Sequence, residues 1–98
     1  MRARKTDANH ATVREAFKAH GCSVLDTFTL GQGAPDIVVA KGKRTWCVEV
    51  KDGDKPPSKR RLTLDQEQFV HHWQGEYSVV ESVRDVANVV AWMTRETK

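Results

Sequence analysis

Apolar positions recur along this chain at two spacings, one suited to helices and one to strands. Val13, Ala16, Phe17 and His20 share one face of a helix predicted over residues 9–20, with Asn9 as its cap and Gly21 as its stop. Residues 23–30 are rich in β-branched and aromatic side chains and read as a strand. Gly31-Gln32-Gly33-Ala34-Pro35 then reads as a turn. Residues 36–40 form a short strand, whose Ile37-Val38-Val39 run suggests burial on both faces. The glycine within 41–44 marks a hairpin turn, and residues 45–51 alternate. Trp46, Val48 and Val50 point one way; Cys47, Glu49 and Lys51 point the other. A charged loop over 52–62 contains Pro56-Pro57. A second helix is expected over 63–74, stopped by Gly75, then a strand over 77–80. Ser82 caps a last helix reaching about residue 95, with Val83, Val86, Val90 and Trp92 among its apolar positions. The order α-β-β-β-α-β-α describes an α/β domain, a mixed central sheet flanked by helices.

Composition narrows this picture without changing it. The 98 residues suit one domain over 1–98, and 39% hydrophobic with 30% charged residues is ordinary for a globular protein. Residues 1–8 read as a flexible basic tail. The formal charge of +3 is modest, but it is unevenly placed: three basic residues lie in 1–5, three in 41–44 and four in 55–61. Such runs are either solvated loops or contacts for a polyanion. No apolar stretch is long enough to span a bilayer, and the opening residues hold no apolar signal segment. The expected setting is the cytoplasm, with Cys22 and Cys47 reduced. His71 and His72 point roughly 100° apart on a helix, which argues against a zinc site built from the pair.

The hairpin carries the candidate chemistry. If Gly42-Lys43 is a two-residue turn, Lys41 faces Arg44, Ile37 faces Val48, and Asp36 lies opposite Glu49. Residues opposed in this way share a face, and Lys51 joins them two residues further on. Two carboxylates facing each other destabilise a sheet, and both flank apolar strand cores. A divalent cation resolves that conflict, since paired carboxylates suit Mg²⁺ or Mn²⁺. With Lys51 beside it, such a site could bind a phosphodiester, activate water and stabilise the transition state. The plainer reading is a surface ion pair among Asp36, Glu49 and Lys51.

Gly33-Ala34-Pro35-Asp36 followed by Glu49-Val50-Lys51 resembles the PD-(D/E)xK nuclease signature. The longer pattern is more specific: Lys51-Asp52-Gly53, then Lys55-Pro56-Pro57-Ser58-Lys59-Arg60-Arg61-Leu62-Thr63, then Asp65-Gln66 and Phe69. With it, the chain resembles a compact, stand-alone phage-type member of the VRR-NUC (virus-type replication and repair nuclease) family over nearly its whole length. The resemblance implies a restriction-endonuclease-like core. It implies Asp36 and Glu49 as metal ligands, the Val50 backbone carbonyl as a third contact, and Lys51 as the group that positions water and stabilises the phosphorane. It also implies that Gln66 points into the site. Thr63-x-x-Gln66 has a second reading as a capping box, and a single side chain is not expected to serve both ends. The first helix departs from the family, which often places an acidic residue or glutamine near the metal. Thr12 stands at the matching position, with His10 two residues before it. Glu15 is the nearest carboxylate and is either a metal-site residue or part of a Thr12-x-x-Glu15 capping box.

Members of this size imply structure-selective endonucleases that act as homodimers on branched DNA such as four-way junctions. Lys55, Ser58, Lys59, Arg60 and Arg61 are the expected phosphate contacts. Few aromatic residues lie near the basic runs in sequence, which argues against single-strand reading. The dimer surface is either the valine-rich 77–92 segment or elsewhere. The alternatives are a catalytically silent DNA-binding module, a nuclease subunit needing a partner such as a helicase, and a protein unrelated to nucleic acid.

Overall fold

The computed structural model describes residues 6–95. Three helices, α1 (His10–Ala19), α2 (Leu64–His72) and α3 (Val83–Thr94), accompany four strands: β1 (Ser23–Asp26), β2 (Ile37–Lys41), β3 (Arg44–Val50) and β4 (Glu76–Val80). The strands form one mixed sheet in the order β1-β2-β3-β4. β1 and β3 flank β2 antiparallel, and β4 joins β3 in parallel after the crossover through α2. Mixed α/β architecture and element order follow the hydrophobic pattern.

Local chemistry explains most boundaries. α1 ends in a Schellman arrangement: Gly21 takes φ +84, its N–H donates to the Lys18 carbonyl, and the Cys22 N–H donates to the Phe17 carbonyl. The hairpin turns on Gly42 (φ 58) and Lys43 (φ 66), the paired left-handed conformations of a type I′ turn. Its register is the expected one, from Lys41↔Arg44 to Ile37↔Val48.

Four expectations are corrected. β1 stops at Asp26, and Phe28–Leu30 coils into a 3₁₀ turn. Thr27 ends the strand by turning both of its donors on the chain ahead of β2: its N–H bonds the Asp36 carbonyl and its hydroxyl the Pro35 carbonyl. Asn9 does not cap α1 with its side chain. Its amide instead donates to the carbonyls of Lys51 and Glu81, tying the helix start to the ends of β3 and β4. Because α1 begins at His10, Thr12-x-x-Glu15 lies inside the helix and forms no capping box. Of the expected basic tail, residues 1–5 lie outside the described part, whereas Thr6 and Asp7 are half-buried and Asp7 pairs with Lys55.

One face of the sheet carries the core. Ile37, Val39, Trp46, Val48, Val50 and Val80 pack against Val13 and Phe17 of α1 and against Val86, Val89, Val90 and Met93 of α3. Full burial of each such side chain contributes about 1.5–3 kcal/mol. α2 supplies nothing to this cluster. Its one buried residue is Gln66, which meets Glu49 and Lys51 on the opposite face of the sheet.

Candidate active site

Charged side chains are almost never fully buried unless paired, yet three lie together where β3 ends. Asp36 is 5%, Glu49 2% and Lys51 8% exposed, with Gln66 at 2% beside them. The alternation of β3 puts Glu49 and Lys51 on the face away from the core, and α2 covers them there.

Gln66 organises the group. Its Nε2 donates to Glu49 Oε2 at 2.8 Å. Its Oε1 accepts from Lys51 Nζ at 2.9 Å and from the Thr63 backbone N–H, also at 2.9 Å. The Gln66 N–H donates to Thr63 Oγ1 at 3.2 Å, completing a capping box. The same side chain therefore caps α2 and joins the charged cluster, contrary to the expectation that it could not do both. An amide oxygen has two lone pairs and an amide nitrogen two hydrogens, so the two roles use different capacity. Lys51 Nζ also lies 3.7 Å from Glu49 Oε2.

Asp36 sits one residue before β2, beyond the last ladder pair Ile37↔Val48. Its Oδ2 accepts the Val50 backbone N–H at 2.8 Å. The Thr27 hydroxyl holds the adjacent Pro35 carbonyl at 2.7 Å. Asp36 thus terminates the hairpin and keeps its buried carboxylate on the Val50 N–H, one residue along the backbone from Glu49. A carboxylate has about four lone-pair sites, so this one bond leaves acceptor capacity for a cation.

Backbone contacts fix the parts against each other. Lys51 donates its N–H to the Val80 carbonyl and accepts from Asn9 Nδ2. Gly33 (φ +79) runs against the first turn of α2, where an added Cβ would lie 2.1 Å from the Asp65 carbonyl oxygen. That close approach seats Gln66 over Glu49. Asn9, Thr27 and Gly33 were missed as site-building residues; only the turn-forming glycine had a sequence signal.

The remaining expected residues divide. Glu15 is on the outer face of α1, its side chain 62% exposed, 3.6 Å from both Arg14 and Lys18. It is not brought to Asp36 and Glu49. Lys55 pairs with Asp7 at 3.2 Å, and Arg60 pairs with Glu81 at 3.0 Å while its Nε donates to the Lys55 carbonyl. Ser58, Lys59 and Arg61 are exposed. His10 is buried against Phe28, its Nε2 3.7 Å from Asp26, which Arg14 also engages at 3.0 Å. Burial pushes the Cys47 thiol, on the same strand face as Glu49, above its ordinary range. Cys22 is raised likewise by burial, opposed by Lys41.

The donor set is all oxygen and therefore suits a hard cation. It is lean: among the described residues no three His, Cys, Asp or Glu side chains converge as a metal-binding group. Mg²⁺ is compatible with such a set because it keeps several waters and takes further oxygens from phosphate. No helix of the described residues is long and apolar enough to cross a membrane. No family model matches the chain, nor does any curated protein or solved structure.

Proposed function

We infer that this protein is a Mg²⁺- or Mn²⁺-dependent DNA endonuclease with a restriction-endonuclease-like core, similar to the VRR-NUC nucleases, acting as a homodimer on branched DNA. The carrying observation is the burial of Glu49, Lys51 and Gln66 in one hydrogen-bonded group, with the buried Asp36 carboxylate bonded to the backbone N–H of Val50 between Glu49 and Lys51. Buried carboxylates are costly unless they meet positive charge, and a bound cation would join Lys51 in supplying it. Asp36, Glu49 and the Val50 carbonyl are the residues that would hold it. When bound, the ion supplies Lewis acidity and lowers the pKa of attached water.

The chain's own residues supply positioning. Gln66 Oε1 restrains Lys51 Nζ, leaving ammonium hydrogens for a non-bridging phosphate oxygen and for the attacking water. An ammonium preorganised there favours the charge that develops on the pentavalent phosphorus. Lys59 and Arg61, exposed on the loop before α2, would hold phosphates beside the cut; Lys55 and Arg60 are already engaged within the fold. A chain this short gains grip on DNA by pairing, which would set two sites on two strands.

The lean ligand set favours one second reading, a silent DNA-binding module with this fold. A single experiment separates the two. Labelled four-way junction and matched duplex are incubated with Mg²⁺, with Mn²⁺ and with EDTA, beside Lys51→Ala. Metal-dependent cutting lost in the variant supports the nuclease, and preference for the junction supports the substrate class. Tight binding with no cutting in either metal selects the silent module.

A further inference from the structure

α2 and its C-cap residue carry two aromatic side chains, Phe69 and Trp73, that the core does not use. Phe69 and Trp73 stack at 5.3 Å and 20°, and Tyr77 of β4 lies 6.1 Å behind Phe69. Trp73 is nevertheless 44% exposed. Its indole N–H donates to the Glu76 carbonyl at 3.3 Å, which holds the ring edge in place. Beside this pair runs a groove of about 430 Å³, lined by Gln32, Asp65, Gln68, Phe69, His72 and Trp73.

The groove adjoins the charged cluster along both walls. One wall is the 31–33 turn, which leads through Pro35 into Asp36. The other is α2, where Asp65 precedes Gln66. The two walls meet where Gly33 abuts the Asp65 carbonyl. The groove and the charged cluster are thus built on neighbouring residues of the same turn and the same helix.

We propose that this groove takes a nucleobase drawn out of the DNA stack next to the scissile phosphate, so that the preferred substrate carries an unpaired nucleotide at its branch or bulge. The proposal rests on the nuclease reading and deepens it. Two features of the lining select a base. Phe69 and Trp73 offer an apolar aromatic wall, which any base can stack upon. Gln32 and Gln68 each offer an amide donor and acceptor, the groups that read base edges, and Asp65 accepts from exocyclic amines. A phosphate does not fit, because among the described residues no Lys or Arg lines the groove and Asp65 brings a carboxylate to it. The exposed cations Lys59 and Arg61 lie on the loop leading into α2, where the backbone of the same strand would pass. A paired base must first be unpaired and unstacked at a cost in free energy, so an unpaired one enters in preference.

The test uses a duplex with one bulged nucleotide, its twin with an abasic bulge, and a fully paired control. Binding is measured in EDTA, with 2-aminopurine as the bulged base. Wild-type protein is expected to bind the base-bearing bulge at least about tenfold more tightly than the abasic twin and to quench 2-aminopurine. Trp73→Leu and Gln68→Ala, checked for an unchanged thermal transition, are expected to remove most of that preference. Equal binding of the two bulged duplexes by wild-type protein overturns the proposal without needing any variant to fold. Loss of a dimer in Trp73→Leu, with base discrimination unchanged, also overturns it and assigns the groove to a second copy. Cleavage in Mg²⁺ is scored separately. Cutting without base preference leaves the nuclease reading standing and sinks the groove; base preference without cutting does the reverse.

Discussion

Gln66 shows how much one side chain can hold. It bonds Glu49, Lys51 and the start of its own helix, so truncation leaves several buried polar groups unpaired. Gln66→Ala is expected to cost about 1–3 kcal/mol in urea unfolding, more than Thr63→Ala, which removes only the cap at about 1 kcal/mol. Asp36 separates structure from charge. In Asp36→Asn the amide oxygen can still accept the Val50 N–H, so stability should stay within about 1 kcal/mol while metal-dependent cleavage disappears. Unfolding and cleavage assays on one preparation check both halves. Cys47 gives a pH signature. Its folded thiol titrates above the ordinary 9.0, so the unfolded chain ionises first as pH rises. The stability it contributes is intact below pH 9 and declines above. The advantage of wild-type protein over Cys47→Ala in urea midpoint should therefore shrink between pH 8 and pH 10.

Among the elements, α2 depends on its neighbours for position. It enters the molecule through Gln66 and through the contact of Gly33 with Asp65, and gives nothing to the hydrophobic cluster. Gly33→Ala faces both a left-handed backbone and a backbone clash. It is expected to destabilise by about 2 kcal/mol or more, and to lower cleavage further by lifting Gln66 off Glu49. A variant that folds as tightly as wild type and cuts as well would show that the turn does not seat the helix. The 3₁₀ turn after β1 teaches a related point. Residues 27–30 have strand-forming side chains, but β2 begins opposite Asp26, so no partner remains beyond it. A strand needs a neighbour to satisfy its backbone, and local propensity cannot supply one.

At the scale of the whole molecule, the distribution of charge decides what the surface can do. The loop over 55–61 carries four basic residues, but Lys55 and Arg60 are tied to Asp7 and Glu81. Lys59→Ala and Arg61→Ala should each weaken DNA binding and lower the slope of log affinity against log salt by about 0.9 per lost phosphate contact. Lys55→Ala should change that slope less. Measured slopes in EDTA, where cutting is absent, test the division. Equal slopes for all three variants would mean that the ion pairs open when DNA binds.

The sequence by itself determined the α/β class, the element order and the hairpin register. These rest on local periodicity and on turn chemistry, which act over a few residues. It also placed Glu49 and Lys51 on the side of the sheet away from the core, because side chains alternate along a strand. What only the tertiary structure decided was which polar groups meet across long separations. Asn9 reaching Lys51, Glu15 facing away, and Gln32 meeting Phe69 and Trp73 in one groove all depend on how helices dock. Docking is set by packing against the whole sheet, and no local window of residues contains that information.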